Sequence, residues 1–64
     1  MELSEAIKRV RWELRLSQVE LAKELACSQM SISSWELNYR SPSYKILKRL
    51  DAFIKKHNLD IKLI

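Results

Sequence analysis

The 64-residue chain contains no glycine and one proline, Pro42. Glycine is the usual residue in a tight turn between helices, because it takes a left-handed backbone angle without steric cost. A chain without it must mark its breaks in other ways. Here the marks are serines and asparagines spaced along an otherwise helical pattern, residues that cap helix starts or tolerate the left-handed angle at helix ends.

Four helices follow from the apolar spacing. Leu3, Ile7, Val10 and Leu14 recur at steps of four, three and four, one face of a helix. The spacing predicts a first helix over about Glu5 to Arg15 with Ser4 as N-cap. Lys8, Arg9 and Arg15 fall mostly off that face, as does Trp12, which reads as a partly buried flank. "SQVE" is a capping box, with Ser17 at the N-cap and Glu20 three residues on. It opens a second helix whose inward face is Leu21, Ala22 and Leu25. Ala22 is small enough to admit a crossing helix. Ser28 suits the N-cap of a third helix, in which Ile32 and Trp35 point inward while Gln29, Met30, Ser33 and Ser34 face outward. That helix should end near Asn38. In "SPSY", Ser41 can cap and Pro42 fits the first helical position, where no N–H is needed. Ile46, Leu47, Leu50, Phe53 and Ile54 then make the buried face of a fourth helix. "KKHN" places positive charge at its end, which the helix dipole favours. Asn58 can close it, and Leu59 can fold back onto Ile54. The tail "DIKLI" alternates apolar and polar residues and reads equally as a short strand or a packed extension. The fold class is therefore all-α. Residues 1–64 form a single small domain of four helices, or five elements if the tail counts.

Composition removes several functional classes. Apolar residues make up 47% of the chain, too many for a disordered tail. No apolar run approaches the ~20 residues that cross a bilayer, and "MELSEAIKRV" lacks the apolar core of a signal peptide. A cytoplasmic protein without membrane attachment is expected. One cysteine and one histidine exclude a disulfide framework and a structural zinc site. Neither a metal nor any other cofactor is expected. No nucleophile has an attendant base and no acids are paired, so no catalytic residue is assigned and an enzyme is not expected. The net charge of +4 and pI near 9.5 suit a polyanionic partner. Cys27 reads as a core residue with no basic neighbour to activate it. His57, Lys55 and Lys56 read as a solvated helix end.

Residues 18–37, "QVELAKELACSQMSISSWEL", resemble the helix-turn-helix of the lambda repressor/Cro-like family, also called the XRE family. Gln18 opens the unit, Leu21 and Ala22 supply its "LA", and Leu25 closes the second helix. Cys27 follows the turn, Ile32 and Trp35 anchor the third helix, and Glu36 precedes the cap. The resemblance extends to Arg11 and to "WELNYRSPS", which is similar to the W-E-x-G-x-R-x-P-S signature of one branch. It covers roughly residues 3 to 54. It implies a helix-turn-helix at about residues 17–37 whose third helix lies in the major groove of double-stranded DNA, its N-terminal residues against base edges.

Ser28, Gln29, Met30, Ser33 and Ser34 are then the candidate DNA-reading residues. Glutamine can hydrogen-bond adenine N6 and N7 together, which makes Gln29 the first choice, and Met30 can touch a thymine methyl. The resemblance implies a phosphate contact for Gln18 at the start of the second helix. Tyr39 and Arg40 suit phosphate contacts, and Lys45 is a weaker candidate. It further implies a partly buried ion pair between Arg11 and Glu36, which by themselves read as two solvated surface charges. The function implied is a sequence-specific transcriptional regulator, a repressor by first expectation. It would act as a homodimer, at least on DNA, at a palindromic operator with half-sites about 34 Å apart. Either the tail from Leu59 to Ile64 supplies the dimer contact or DNA organises it. The alternative is an antitoxin, which binds a toxin as well as its promoter. The about six residues after Asn58 leave little room for a toxin-binding segment.

Glycine is usual in this family where Ala26 and Asn38 stand. Either Ala26 takes the left-handed angle, at roughly 1 kcal/mol relative to glycine, or the turn is shaped differently.

Overall fold

The computed structural model describes residues 2–63. Met1 and Ile64, the last residue of the tail, lie outside the described residues. Within them the chain forms four helices and no strand: α1 (Leu3–Leu14), α2 (Gln18–Leu25), α3 (Gln29–Glu36) and α4 (Tyr44–Lys56). Helix α3 packs against α1 and α2, and α4 packs against α2.

The core is built from the faces that the periodicity marks out. Ile7, Val10, Leu21, Leu25, Ile32 and Leu50 are fully buried, each contributing on the order of 1.5–3 kcal/mol by removal from water. Ala6, Ala22, Trp35, Phe53, Ile54 and Ile61 complete the cluster, with Leu3, Leu14, Leu16, Cys27, Ile46, Leu59 and Leu63 packed at its edge. The tail is a packed extension through Leu63: Ile61 is buried and Leu63 half-buried, with no strand pairing.

Helix α1 begins earlier than its serine suggests. Glu2 occupies the N-cap in extended conformation without a side-chain cap. Ser4 is instead buried within the first turn, because a helix continued through it carries Leu3 and Ala6 onto the core. Trp12 is 75% exposed, with the Arg15 guanidinium 5.8 Å from its ring centroid. It lies too far round from Val10 to reach the core at all. The start of α4 is also shifted. Ser43, not Ser41, is the cap, its hydroxyl accepting from the Ile46 N–H at 3.4 Å. Pro42 precedes the helix and is buried. At Ser17 the capping box is complete: Ser17 N–H donates to Glu20 Oε1 at 2.7 Å and Glu20 N–H donates to Ser17 Oγ at 3.0 Å. These bonds, formed with both the backbone and the hydroxyl of Ser17, hold the Glu20 carboxyl below the usual range.

All four helices close in the same way. Arg15, Ala26, Asn38 and Asn58 have φ of 57°, 56°, 65° and 54°. After each, the next N–H reaches back five residues: Leu16 to Arg11, Cys27 to Ala22, Tyr39 to Ser34 and Leu59 to Ile54, at 2.8–3.1 Å. This is the Schellman closure, which satisfies helix-end carbonyls and favours glycine at its left-handed position. The chain builds it four times without one.

Candidate nucleic-acid interface

The turn between α2 and α3 consists of Ala26, Cys27 and Ser28. Ala26 is left-handed, at φ 56° and ψ 49°. Cys27 turns its side chain toward the core. Burial pushes its thiol pKa up. A basic neighbour does exist, contrary to the sequence expectation: the charge of Arg49 opposes the shift without overcoming it. Ser28 caps α3, its hydroxyl accepting from the Ser31 N–H at 3.1 Å and lying 2.9 Å from the Ser31 hydroxyl. Three residues thus set the direction in which α3 leaves α2.

The polar residues at the start of α3 separate into two groups. On one side Ser28, Met30, Ser34 and Arg40 line a shallow depression together with Ser41 and Ser43. Met30 is 76% exposed. Ser33 and Ser34 are half-buried rather than fully outward, since an eight-residue helix packed on both α1 and α2 leaves only a narrow free stripe. Tyr39 and Arg40 lie exposed in the turn after α3, Tyr39 at 78%. Lys45 is exposed on the first turn of α4 but does not line the depression.

On the other side Gln29 joins a chain of hydrogen bonds that runs into the protein. Its Nε2 donates to Gln18 Oε1. Gln18 Nε2 donates to Glu36 Oε1 at 3.0 Å. Arg11 grips the same carboxylate with both ends of its guanidinium, Nε to Oε2 at 2.6 Å and Nη2 to Oε1 at 2.9 Å. It also donates from Nη1 to the Leu16 carbonyl at 3.2 Å. The Glu36 side chain is 6% exposed and that of Arg11 25%. Burial alone would push the Glu36 carboxyl up. The hydrogen bonds from Arg11 and Gln18, with the charges of Arg11 and Lys8, outweigh it and hold the pKa below the usual range. The bond to Glu36 in turn raises the pKa of Arg11. The pair therefore remains charged, and it ties α1, the start of α2 and the end of α3 together.

Sequence reasoning missed two participants. Arg49 of α4 donates to the Leu25 carbonyl at 3.1 Å, placing a cation at the C-terminus of α2, where carbonyls are unpaired and the dipole is negative. Ser31 shares the Ser28 hydroxyl. The first contact spans 24 residues and has no local signal; the second has one in the S-x-x-S spacing of Ser28 and Ser31.

A family model described as helix-turn-helix matches residues 7–57, from the second turn of α1 to the residue that ends α4. The chain belongs to the lambda repressor-like (XRE) helix-turn-helix family. No curated protein and no solved structure matches it. The XRE family is one of DNA-binding transcriptional regulators, not of enzymes. The α2–turn–α3 unit is its helix-turn-helix. No helix among the described residues is long and apolar enough to cross a membrane.

Proposed function

We propose that the protein is a sequence-specific transcriptional repressor, that its 64 residues act as one DNA-binding unit, and that α3 reads the major groove. The observation that carries this reading is the presentation of Gln29 and Met30. Both are exposed at the N-terminus of a helix whose other face is packed on α1 and α2. In a helix-turn-helix that end meets the base edges. Gln29 offers the donor–acceptor pair that matches adenine, and Met30 offers apolar surface for a thymine methyl. Ser28, Ser33 and Ser34 border them and take secondary contacts. Gln18, Tyr39 and Arg40 contact phosphates and hold the register. The net charge of +4 supports the approach to DNA.

A homodimer on a palindromic operator is the form proposed for specific binding, with half-sites about 34 Å apart. Ile61 and Leu63 are turned onto the protein's own core, which favours DNA rather than the tail as the organiser of the dimer.

Selection of bound sites from random duplex DNA, followed by salt titration, tests the reading. A defined motif is expected, with affinity falling steeply as salt rises. Gln29→Ala should relax the preference at one base pair and cost about 1–3 kcal/mol at the selected site. A motif unchanged by Gln29→Ala removes Gln29 as a reader. Failure to enrich any motif removes the function.

A further inference from the structure

We propose that Lys8, Trp12 and Arg15, at the outer edge of α1, form a clamp for the phosphate backbone of duplex DNA beside the bases that α3 reads. This rests on the reading of α3 as the helix in the major groove. Trp12 is 75% exposed, a large apolar surface left in water at a cost. The Arg15 guanidinium lies 5.8 Å from its ring centroid. A guanidinium stacked on an indole uses its flat face and keeps its N–H edge free. That edge is the part that takes a phosphate. Arg15 also stands at φ 57°, where glycine would carry no strain. Among the described residues no carboxylate lies within ion-pair distance of Arg15 or Lys8. Their neighbour Arg9, by contrast, is paired with Glu13 at 3.5 Å.

The place of these residues ties them to the reading face. Lys8 lies three residues before Arg11 and Arg15 four after it, a spacing that keeps all three on one side of α1. Arg11 holds Glu36 at the end of α3, and the charge of Lys8 reaches the same carboxylate. Gln18, which opens α2 three residues after Arg15, bonds that carboxylate too, at 3.0 Å. The edge of α1 thus continues the surface on which Gln18 is proposed to meet a phosphate. Two unpaired cations, one of them held flat by an exposed indole, suit a row of phosphates and carry no means of reading a base.

Trp12 reports the contact directly. Trp35 is 8% exposed, so acrylamide quenching of the free protein's fluorescence comes mainly from Trp12. On a duplex carrying the selected motif, that quenching should fall toward the level of a buried indole. Arg15→Gln removes a charge at an exposed position and leaves the core untouched. It should weaken binding to all duplexes alike, roughly threefold at moderate salt, and reduce the salt slope by about 0.9. Lys8→Gln should do the same. The selected motif should be unchanged in both, because phosphate contacts carry no sequence information. Lys62→Gln is the control. It removes the same charge from the exposed tail, in a groove that Leu3 lines at the opposite end of α1 from Arg15, and should leave the slope as it is. Trp12 quenched equally with and without DNA, or a slope that falls as much in Lys62→Gln as in Arg15→Gln, overturns the clamp while leaving base reading by α3 intact. An unaltered protein that enriches no motif overturns the reading on which the clamp rests.

Discussion

Ala26→Gly should make this protein more stable, although glycine within a helix normally does the opposite. Ala26 sits at φ 56° and ψ 49°, where its Cβ crowds the backbone at a cost of roughly 1–2 kcal/mol. Glycine removes that crowding but is freer in the unfolded chain, which returns about 0.4–1 kcal/mol. The residue is exposed, so little packing is lost with its methyl group. The net gain is about 0.5–1 kcal/mol, a sizeable share of the stability of so small a domain. In a chain of this size it corresponds to a rise in Tm of roughly 2–8 °C. Urea and thermal unfolding followed by circular dichroism measure it, with an unchanged urea slope as the sign that the surface exposed on unfolding is the same in both chains. Ala52→Gly is the control. Ala52 is also exposed, but it lies inside α4, where the same change should cost about 0.5–1 kcal/mol. The two substitutions must therefore move Tm in opposite directions. If Ala26→Gly destabilises as Ala52→Gly does, the left-handed turn is not a source of strain and the account of the hinge is wrong.

The ion pair and the proposed phosphate contacts give further measurements. Glu36→Ala leaves the Arg11 guanidinium and the Gln18 amide without their shared partner and should cost roughly 3 kcal/mol, the lower end of the range for buried pairs because Arg11 keeps some access to water. The Glu36 pKa is lowered on folding. Its stabilisation is thus fully present above the unfolded carboxylate value of about 4.3 and is lost as pH falls through the lower folded value. The stability gap between the unaltered protein and Glu36→Ala should be flat from about pH 5 to 8 and close only in acid; a gap that closes toward pH 8 contradicts the assignment. Arg40→Ala should weaken binding to all DNA about equally and reduce the salt slope by about 1, and a loss confined to one operator sequence would contradict a phosphate role.

What the sequence reveals and what it hides divide along a physical line. The capping box at Ser17 and the cap at Ser28 are short-range patterns, and both stand in the structure. The apolar spacing of α2 and α3 places Leu21, Ala22, Leu25, Ile32 and Trp35 in the core. Serine caps become ambiguous where two candidates lie close together. Ser41 and Ser43 both have the right chemistry, and packing decides between them by burying Pro42 outside the helix. Ser4 has cap chemistry too, but the core takes it as a buried helical residue. Contacts between distant segments leave no local trace. Nothing near Arg49 announces the Leu25 carbonyl, and Arg11 and Glu36 read as solvated charges until the family register puts them opposite each other. Gln18 and Gln29 are each legible as candidates, but their linkage is a property of the folded chain alone.

The four left-handed closures explain how a glycine-free chain can still form a helix-turn-helix domain. At Asn38 and Asn58 the short polar side chain tolerates the angle, so those ends are held at little cost. At Arg15 and Ala26 it does not, and the strain must be outweighed by what the turn secures. Behind Arg15 stands the Leu16 carbonyl, held by Arg11. Behind Ala26 stand the Cys27 N–H on Ala22 and the Arg49 guanidinium on Leu25. Each strained position is thus fastened by an arginine that also reaches across the fold, one from α1 and one from α4. The α2–α3 hinge is held from outside the motif by the Arg49 guanidinium on the Leu25 carbonyl, as well as by its own cap at Ser28. The direction of α3, and with it the aim of Gln29, is consequently a property of all four helices rather than of the helix-turn-helix alone.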